Sequence, residues 1–396
     1  MPLVLKICGL EWVNASRDKR ELSAYRELGW DVCVMAKGEP GDRARPDEVD
    51  GFPVLRYSTR PLGARVPSAV NRVVSLFQWA REARKLHPDV ISGHDLIPGL
   101  TIAWMSTWFQ KQKPKLIYDS HEFELGRNTK RSALQKAVIC RWERFLMNRC
   151  AFSIMVNDSI ADEVQRIHRL KERPVVVRST PDNWRLDSEE IARARAEIDR
   201  QFAVRGIDAP FLVMYHGGVV KNRGIEMLLR VTAQEPRACA LVLGSGSEAY
   251  LQKLRNLAEA LGVSDRVLFH PAVPLKELWK YVGAADLSLM MIEGLSRSYY
   301  YALPNKFFES IQSLTPVVAS DYPEMKRLID EYEIGLTCAP DDLDAVHACV
   351  AKMREDAAFY ARCGENLGRA KEDLCWEKEK EILKDAFRAK ILRTSV

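Results

Sequence analysis

The 396-residue sequence predicts an α/β protein built from two doubly wound, mostly parallel sheets. Short apolar runs rich in Val, Ile and Leu alternate with stretches of helical period. The runs fall into two series, and a polar segment with proline at both ends, residues 180–210, separates them. Near-continuous apolar strands need cover on both faces, which crossover helices supply. Two series imply two sheets rather than one.

The first series comprises Leu3–Leu10, Asp31–Met35, Pro53–Tyr57, Val90–His94, Leu116–Ser120, Phe152–Asn157 and Val175–Ser179. The second comprises Phe211–Gly217, Ala240–Gly244, Arg266–His270, Leu287–Ile292, Pro316–Ser320 and Gly335–Cys338. Between them Ser188–Phe202 has helical composition, which puts the linker near Pro181–Trp184 and lets that helix open the second domain. Asp373–Leu392 is dense in Glu and Lys, with Trp376, Leu383, Phe387 and Leu392 at helix-compatible spacing, and predicts a long amphipathic terminal helix. The expected domains are 1–183 and 184–372, followed by a helical segment 373–396.

Composition narrows the function. A hydrophobic content of 47% and a charged content of 29% are those of a soluble globular protein. A net charge of +5 is too weak to argue nucleic acid without a localised patch. The nine cysteines are scattered with no CxxC pair, which disfavours a zinc knuckle or a thioredoxin-like site. They read as reduced structural thiols of a cytosolic protein. No run approaches the roughly 18 apolar residues of a membrane span, and MPLVLKICGLEW reads as a first strand.

In open α/β sheets, ligands bind beyond the carboxyl ends of the strands, where helix N-termini and loop amides favour anions. The stretch from Phe211 to Glu226 (FLVMYHGGVVKNRGIE) is a strand, a glycine-containing loop and a helix start. Gly217 and Gly218 let the backbone approach a ligand, and Lys221 and Arg223 put two cations at the helix start, which suits a diphosphate. An ordinary turn with solvated basic residues is an equal reading. LVLGSGSE carries Gly244 and Gly246 in a second such turn, for which a tight turn is the simpler account. It lacks a third glycine and no such fingerprint follows the first strand, which weakens a dinucleotide-binding dehydrogenase.

The most informative stretch is LPNKFFESIQSLTPVVASDYPE, from Leu303 to Glu324. Pro304 suits a helix start, Asn305 and Lys306 fall in the first turn, and Glu309 follows one turn later. A carboxylate there can accept hydrogen bonds from vicinal hydroxyls such as those of a ribose, while amides and Lys306 hold phosphates. In isolation an amphipathic-helix charge is the favoured reading of Glu309, and the surrounding pattern changes that. In the first half, His94-Asp95 and Tyr118-Asp-Ser-His-Glu122 end strands and can orient or deprotonate a hydroxyl nucleophile. A histidine satisfied by a neighbouring carboxylate is the alternative, and His216 reads as structural. Residues 127–149 hold seven Lys/Arg and one acid, Glu143, with Leu134, Val138, Trp142 and Phe145 on one face. Such a helix either packs its apolar face in the core or lies on an anionic membrane.

Taken in order, these motifs resemble the GT-B-fold retaining glycosyltransferases of family 4 (glycosyl transferases group 1). The resemblance runs over essentially the whole chain: the opening SRDKRE, HD and YDSHE, the RGIE helix start, GSGSE, RVLFHPAV, ADLSLMM, LPNKFFE with TPVVASDYPEM, and WEKE. It implies two Rossmann-like domains facing a central cleft, with the C-terminal helix crossing back to the first domain. It also implies transfer of a sugar from a nucleoside-diphosphate sugar to a hydroxyl of a glycan or lipid-linked acceptor, with retention, in bacterial surface polysaccharide synthesis.

By the same resemblance Arg223 and Lys306 neutralise the donor diphosphate and, with His121, form the catalytic set. His121 contacts the transferred sugar or the acceptor, and Glu309, the second glutamate of the E-x7-E element, binds the ribose. Gly217, Gly218, Lys221, Gly244, Gly246, Pro304 and Asn305 line the donor site, and backbone near Val273 faces the base. No cofactor, metal or nucleic acid is implied. The location implied is cytoplasmic, with peripheral contact on the inner face of the plasma membrane through 127–149. Three positions depart from the pattern. Tyr301 stands where the first glutamate of E-x7-E falls, Gly218 replaces a basic residue, and the glycine pair near Asn14–Ser16 is missing. A sugar-nucleotide 2-epimerase of the same fold and a non-catalytic sugar-nucleotide-binding scaffold are the other functions open to such a chain.

Overall fold

The computed structural model describes residues 1–9, 11–12, 15–38, 45–127 and 131–393. Asn14, Leu10 and residues 128–130 of the basic segment lie outside the described residues. The chain forms two compact units, one of residues 1–178 with 379–396 and the other of residues 179–378.

The first unit holds an eight-stranded sheet: β1 (Leu3–Cys8), β2 (Asp31–Gly38), β3 (Arg45–Val49), β4 (Phe52–Ser58), β5 (Val90–His94), β6 (Lys115–Ser120), β7 (Phe152–Met155) and β8 (Val175–Val176). Their spatial order is β3-β4-β2-β1-β5-β6-β7-β8, and only β3 and β4 pair antiparallel. In β1, Val4 to Cys8 are all buried, so the run shows no period-two alternation, as a strand covered on both faces should not. Val4 lies opposite Val32 on one side and Val90 on the other. Chain direction across the sheet reverses between β1 and β5, which brings Cys8 and His94 to one edge.

β3 was not visible in the sequence. Its residues Arg45-Pro46-Asp47-Glu48-Val49 contain no apolar run, and an edge strand tolerates proline and charge where an inner strand does not. The expected strand Val175–Ser179 contracts to two residues at the opposite edge.

The second unit is a six-stranded parallel sheet: β9 (Phe211–His216), β10 (Ala238–Leu243), β11 (Val267–His270), β12 (Leu287–Met290), β13 (Val317–Ser320) and β14 (Gly335–Cys338), in the order β11-β10-β9-β12-β13-β14. Alternate residues of β9 serve opposite faces. Val213 and Tyr215 pack with Ile225, Leu228 and Leu254, whereas Leu212 and Met214 pack with Ile198, Phe202, Leu278 and Val282. The order reverses between β9 and β12, so the crevice beyond His216 and Met290 is the switch point where such sheets take ligands.

The expected terminal helix Asp373–Leu392 forms from Trp376, as Trp376–Phe387 continued by a wider turn over Arg388–Leu392. Leu374 and Cys375 separate it from the preceding helix Ala357–Asp373. From Glu379 onward the chain belongs to the first unit. There Phe387 packs 4.7 Å from the Tyr25 ring and 5.1 Å from Trp30, and Lys380 and Lys384 both reach Glu27.

Candidate active site

The crevice of the second unit is built from two glycine loops and two helix starts. Gly217 follows β9 with φ +109° and Gly244 follows β10 with φ +157°. A Cβ on Gly244 would stand 1.8 Å from the Gly217 carbonyl oxygen, and one on Gly246 would stand 2.3 Å from that of Val219. The loops pair directly, with Val219 N–H donating to Ser245 O at 2.9 Å. Glycine at 244 and 246 is therefore required for backbone to lie on backbone. Gly217 and Gly218 face outward, and a Cβ on either would meet nothing within 4 Å. Beyond them Gly224, at φ +82°, turns the chain against Met291 and starts the helix Ile225–Gln234.

That turn puts Arg223 at the helix start, half-buried, with its guanidinium 5.2 Å from the centre of the Tyr299 ring. Lys221 is exposed and bonds no other described side chain. Across the crevice the helix Asn305–Gln312 begins after Pro304. Lys306, in its first turn, is only 8% exposed, and its ammonium lies 4.1 Å from the centre of the Tyr215 ring. Among the described residues it has no hydrogen-bond acceptor. Burial, followed by the nearby Arg223 charge, presses its pKa down to about 7, against the pull of Glu309.

One turn on, Glu309 Oε2 sits 3.1 Å from His216 Nε2. His216 is buried and its Nδ1 has no partner among the described residues. Asn305 is exposed at the same helix start, and Val273, half-buried, follows β11 and packs against the core that contains Leu268, Leu278 and Val282. Tyr301 lies next to Tyr300, ring centres 5.4 Å apart.

The structure thus brings Arg223, Lys306, Glu309 and His216 together at the switch point of one sheet. The arrangement offers two cations that no described carboxylate bridges within 4 Å, and a carboxylate oriented by an imidazole. His216 had only a structural reading in the sequence. Its position as the last residue of a buried strand was the available signal.

Lys306 should make anion binding at this crevice pH-dependent. In the free protein its folded pKa is depressed toward 7 while the unfolded value is the ordinary lysine value, so below pH 7 its charge opposes folding and above pH 7 that penalty fades. A bound diphosphate reverses the preference by favouring the ammonium. Nucleotide binding should therefore take up a proton above pH 7, and affinity should fall by up to about tenfold per pH unit between pH 7 and 9. Calorimetry in buffers of different ionisation enthalpy reads the proton directly, and Lys306→Met should abolish the uptake. Equal heats in all buffers would refute it.

In the first unit the strand ends carry a buried charge cluster. Lys6 Nζ lies 2.8 Å from Asp18, 2.9 Å from Glu21 and 2.5 Å from Asp119, all fully buried. Arg17 closes on Glu21 at 3.1 Å. His94 Nδ1 meets Asp18 at 2.8 Å and His121 Nε2 meets Asp119 at 2.9 Å, with the two rings 3.7 Å apart. Burial alone would lower the His94 pKa, but the Asp18 carboxylate outweighs it and raises it to about 11. His121 is raised in the same way by Asp119. Burial likewise opposes ionisation of Asp18 and Asp119, yet Lys6 and the histidines hold both well below the usual carboxylate range.

Asp18, His94, Asp119 and His121 can each turn a ligand atom within 4.8 Å of the others, as a metal would need. The Lys6 ammonium already supplies the cation those carboxylates require, and the donor set fits it. His121 remains the cluster's partly exposed member, and its backbone N–H donates to Asp95 Oδ1. It belongs to the first unit, whereas Arg223 and Lys306 belong to the second. The histidine pair was read from the sequence; Lys6, Arg17, Asp18 and Glu21 were not.

Comparison with known proteins bears on both units. Residues 197–369 match the family model described as glycosyl transferases group 1, and residues 19–180 match that of a glycosyl transferase 4-like domain. The chain is 24% identical to the alpha-D-kanosaminyltransferase of Streptomyces kanamyceticus over 58% of each chain. It spans about half the length of the curated relatives it matches. Among solved structures, a sucrose-phosphate synthase from Thermosynechococcus elongatus superposes with a TM-score of 0.76 at 17% identity, covering 100% of both chains. Anabaena HepE, solved in complex with UDP, gives 0.75 at 15% identity, covering 98% of this chain and 100% of its own. With a family model matched in each unit and this two-domain α/β fold shared over the full length, the chain belongs to the GT-B glycosyltransferases of the family 4 type.

Proposed function

We propose that the protein transfers a sugar, with retention of anomeric configuration, from a nucleoside-diphosphate sugar to a hydroxyl of a glycan or lipid-linked acceptor in surface polysaccharide synthesis. The observation that carries this reading is the constellation of Lys306, Arg223 and Glu309. A buried amine with no acceptor among the described residues lies beside a guanidinium, one helical turn from a carboxylate held by His216. Relatives fit it: HepE is solved with UDP and with UDP-glucose, and a matched Rhizobium leguminosarum protein is a lipopolysaccharide core mannosyltransferase.

In this reading Glu309 accepts hydrogen bonds from the ribose, while Lys306, Arg223 and the outward-facing amides at Gly217 and Gly218 receive the diphosphate. As the anomeric carbon–oxygen bond breaks, its electron pair passes to the diphosphate, whose negative charge those groups stabilise. The acceptor oxygen forms the new bond from the same face, and a phosphate oxygen takes its proton. The chemistry then needs neither a protein nucleophile nor a metal ion. His121 contacts the acceptor or the transferred sugar, and residues 127–149 hold the protein peripherally on a membrane.

A thermal-shift screen against UDP-, GDP-, ADP- and TDP-sugars identifies the donor. Release of nucleoside diphosphate only when acceptor is present, with an unchanged anomeric configuration in the product by NMR and no effect of EDTA, is the expected result. Interconversion of two nucleotide sugars would replace this reading by an epimerase, and binding without turnover would replace it by a scaffold.

A further inference from the structure

Two helices of the first unit, Ser68–Lys85 and Ala133–Met147, carry apolar stripes that no described residue covers. On the first, Val70, Val73 and Phe77 are exposed at i, i+3 and i+7, and Arg81 and Arg84 continue the stripe. On the second, Leu134 is 74% and Val138 59% exposed. Of the apolar face read from the sequence, only Trp142 and Phe145 are covered, half-buried against Trp104.

A seam of rings joins the two stripes. Phe77 lies 6.3 Å from Trp108, Trp108 lies 4.9 Å from Trp104, and Trp104 lies 5.2 Å from Trp142, which stacks on Phe145. Phe109, next in the chain to Trp108, is 94% exposed. Apolar surface presented contiguously in this way marks an interaction face.

Charge selects the partner. Residues 60–85 contain six Lys/Arg and one acid, Glu82; residues 107–115 contain three lysines and no acid; residues 131–149 contain five Lys/Arg and one acid. That last acid, Glu143, is buried against Tyr118 and His168. Exposed cations on both helices and the intervening turn therefore frame an apolar ridge with almost no carboxylate. The aliphatic and phenyl groups suit the boundary between headgroups and acyl chains, the half-buried tryptophans suit its amphipathic edge, and the cations suit anionic headgroups.

We propose that this two-helix face docks on an anionic lipid bilayer. The inference deepens the peripheral attachment proposed above, on which it rests, by adding Val70, Val73, Phe77 and Phe109, which lie outside residues 127–149, to the contact surface.

The test is co-sedimentation of the full chain with vesicles of phosphatidylcholine alone or mixed with phosphatidylglycerol. The expected result is binding to the mixed vesicles only, released by raised salt. Val73→Glu with Phe77→Glu, and separately Phe109→Asp, should each lower that binding roughly tenfold or more while leaving the melting temperature and nucleotide-sugar affinity unchanged. Phe109 is a turn residue with an almost fully exposed side chain, so its variant does not depend on helix packing. No binding to the mixed vesicles at low salt would overturn the proposal, as would a wild-type dimer lost in these variants without vesicle binding. If Val138→Glu lowers binding while neither Val73→Glu with Phe77→Glu nor Phe109→Asp does, attachment through residues 127–149 stands and the two-helix face falls. Intact donor binding in every variant separates either failure from failure of the transferase reading.

Discussion

Lys6→Met is expected to lower the melting temperature of the first unit by about 10 °C at pH 7. Removing one member of a buried ionic cluster costs about 3–5 kcal/mol, and each kcal/mol shifts the midpoint by about 2–4 °C in a unit of this size. The cause is the set of carboxylates left behind, since Asp18, Glu21 and Asp119 would keep only Arg17 and two imidazoles as counter-charges. In the wild type, Asp18 and Asp119 have folded pKa values below their unfolded ones. Their contribution is present above the unfolded value of about 4 and is lost as pH falls through the folded values. Without Lys6 those folded values rise, so the variant's deficit should be full at neutral pH and shrink toward pH 4. Calorimetric scans at pH 4.5 and 7.5 check both the size and the trend. A midpoint within 2 °C of wild type at about pH 7 would show that the cluster contributes no net stability.

Arg223→Ala should weaken nucleotide-sugar binding about thirtyfold, since a charge-assisted contact to a phosphate contributes on the order of 2 kcal/mol. Glu309→Ala should do the same through the ribose, with the fold intact in both variants. Lys221→Ala is the internal control. It carries the same charge in the same loop but is exposed, so its loss should change affinity less than about threefold. Titration calorimetry of the three variants separates a built site from general electropositivity. Equal, small losses in all three would remove the basis for the donor site.

The strands were legible in the sequence because both sheets are covered on both faces, so each inner strand announces itself as an unbroken apolar run. β3 was not, because an edge strand owes its pairing to one neighbour and carries no such run. The placement of the candidate residues in the second unit was readable for a local reason. Arg223, Lys306 and Glu309 each stand within a turn of a helix start, and that placement is written in adjacent residues. The Lys6 cluster was hidden for the opposite reason. Lysine in LVLKIC looks like a strand's single polar position, and its partner Asp119 is 113 residues away, so only the strand order brings them together. The terminal helix was legible because Trp376, Leu383, Phe387 and Leu392 keep helical spacing, and its start falls three residues beyond the expected one. The hydrogen bond that marks that start, from Trp376 N–H to Pro181 O, is non-local.

That terminal segment also sets an order of assembly. A ribosome releases residues 179–378 before residues 379–393, so the second unit can complete its fold while the first still exposes Tyr25, Trp30 and Glu27. The amino-terminal unit, begun first, is thus completed only after the second unit has been made, and until then it presents apolar surface that can aggregate.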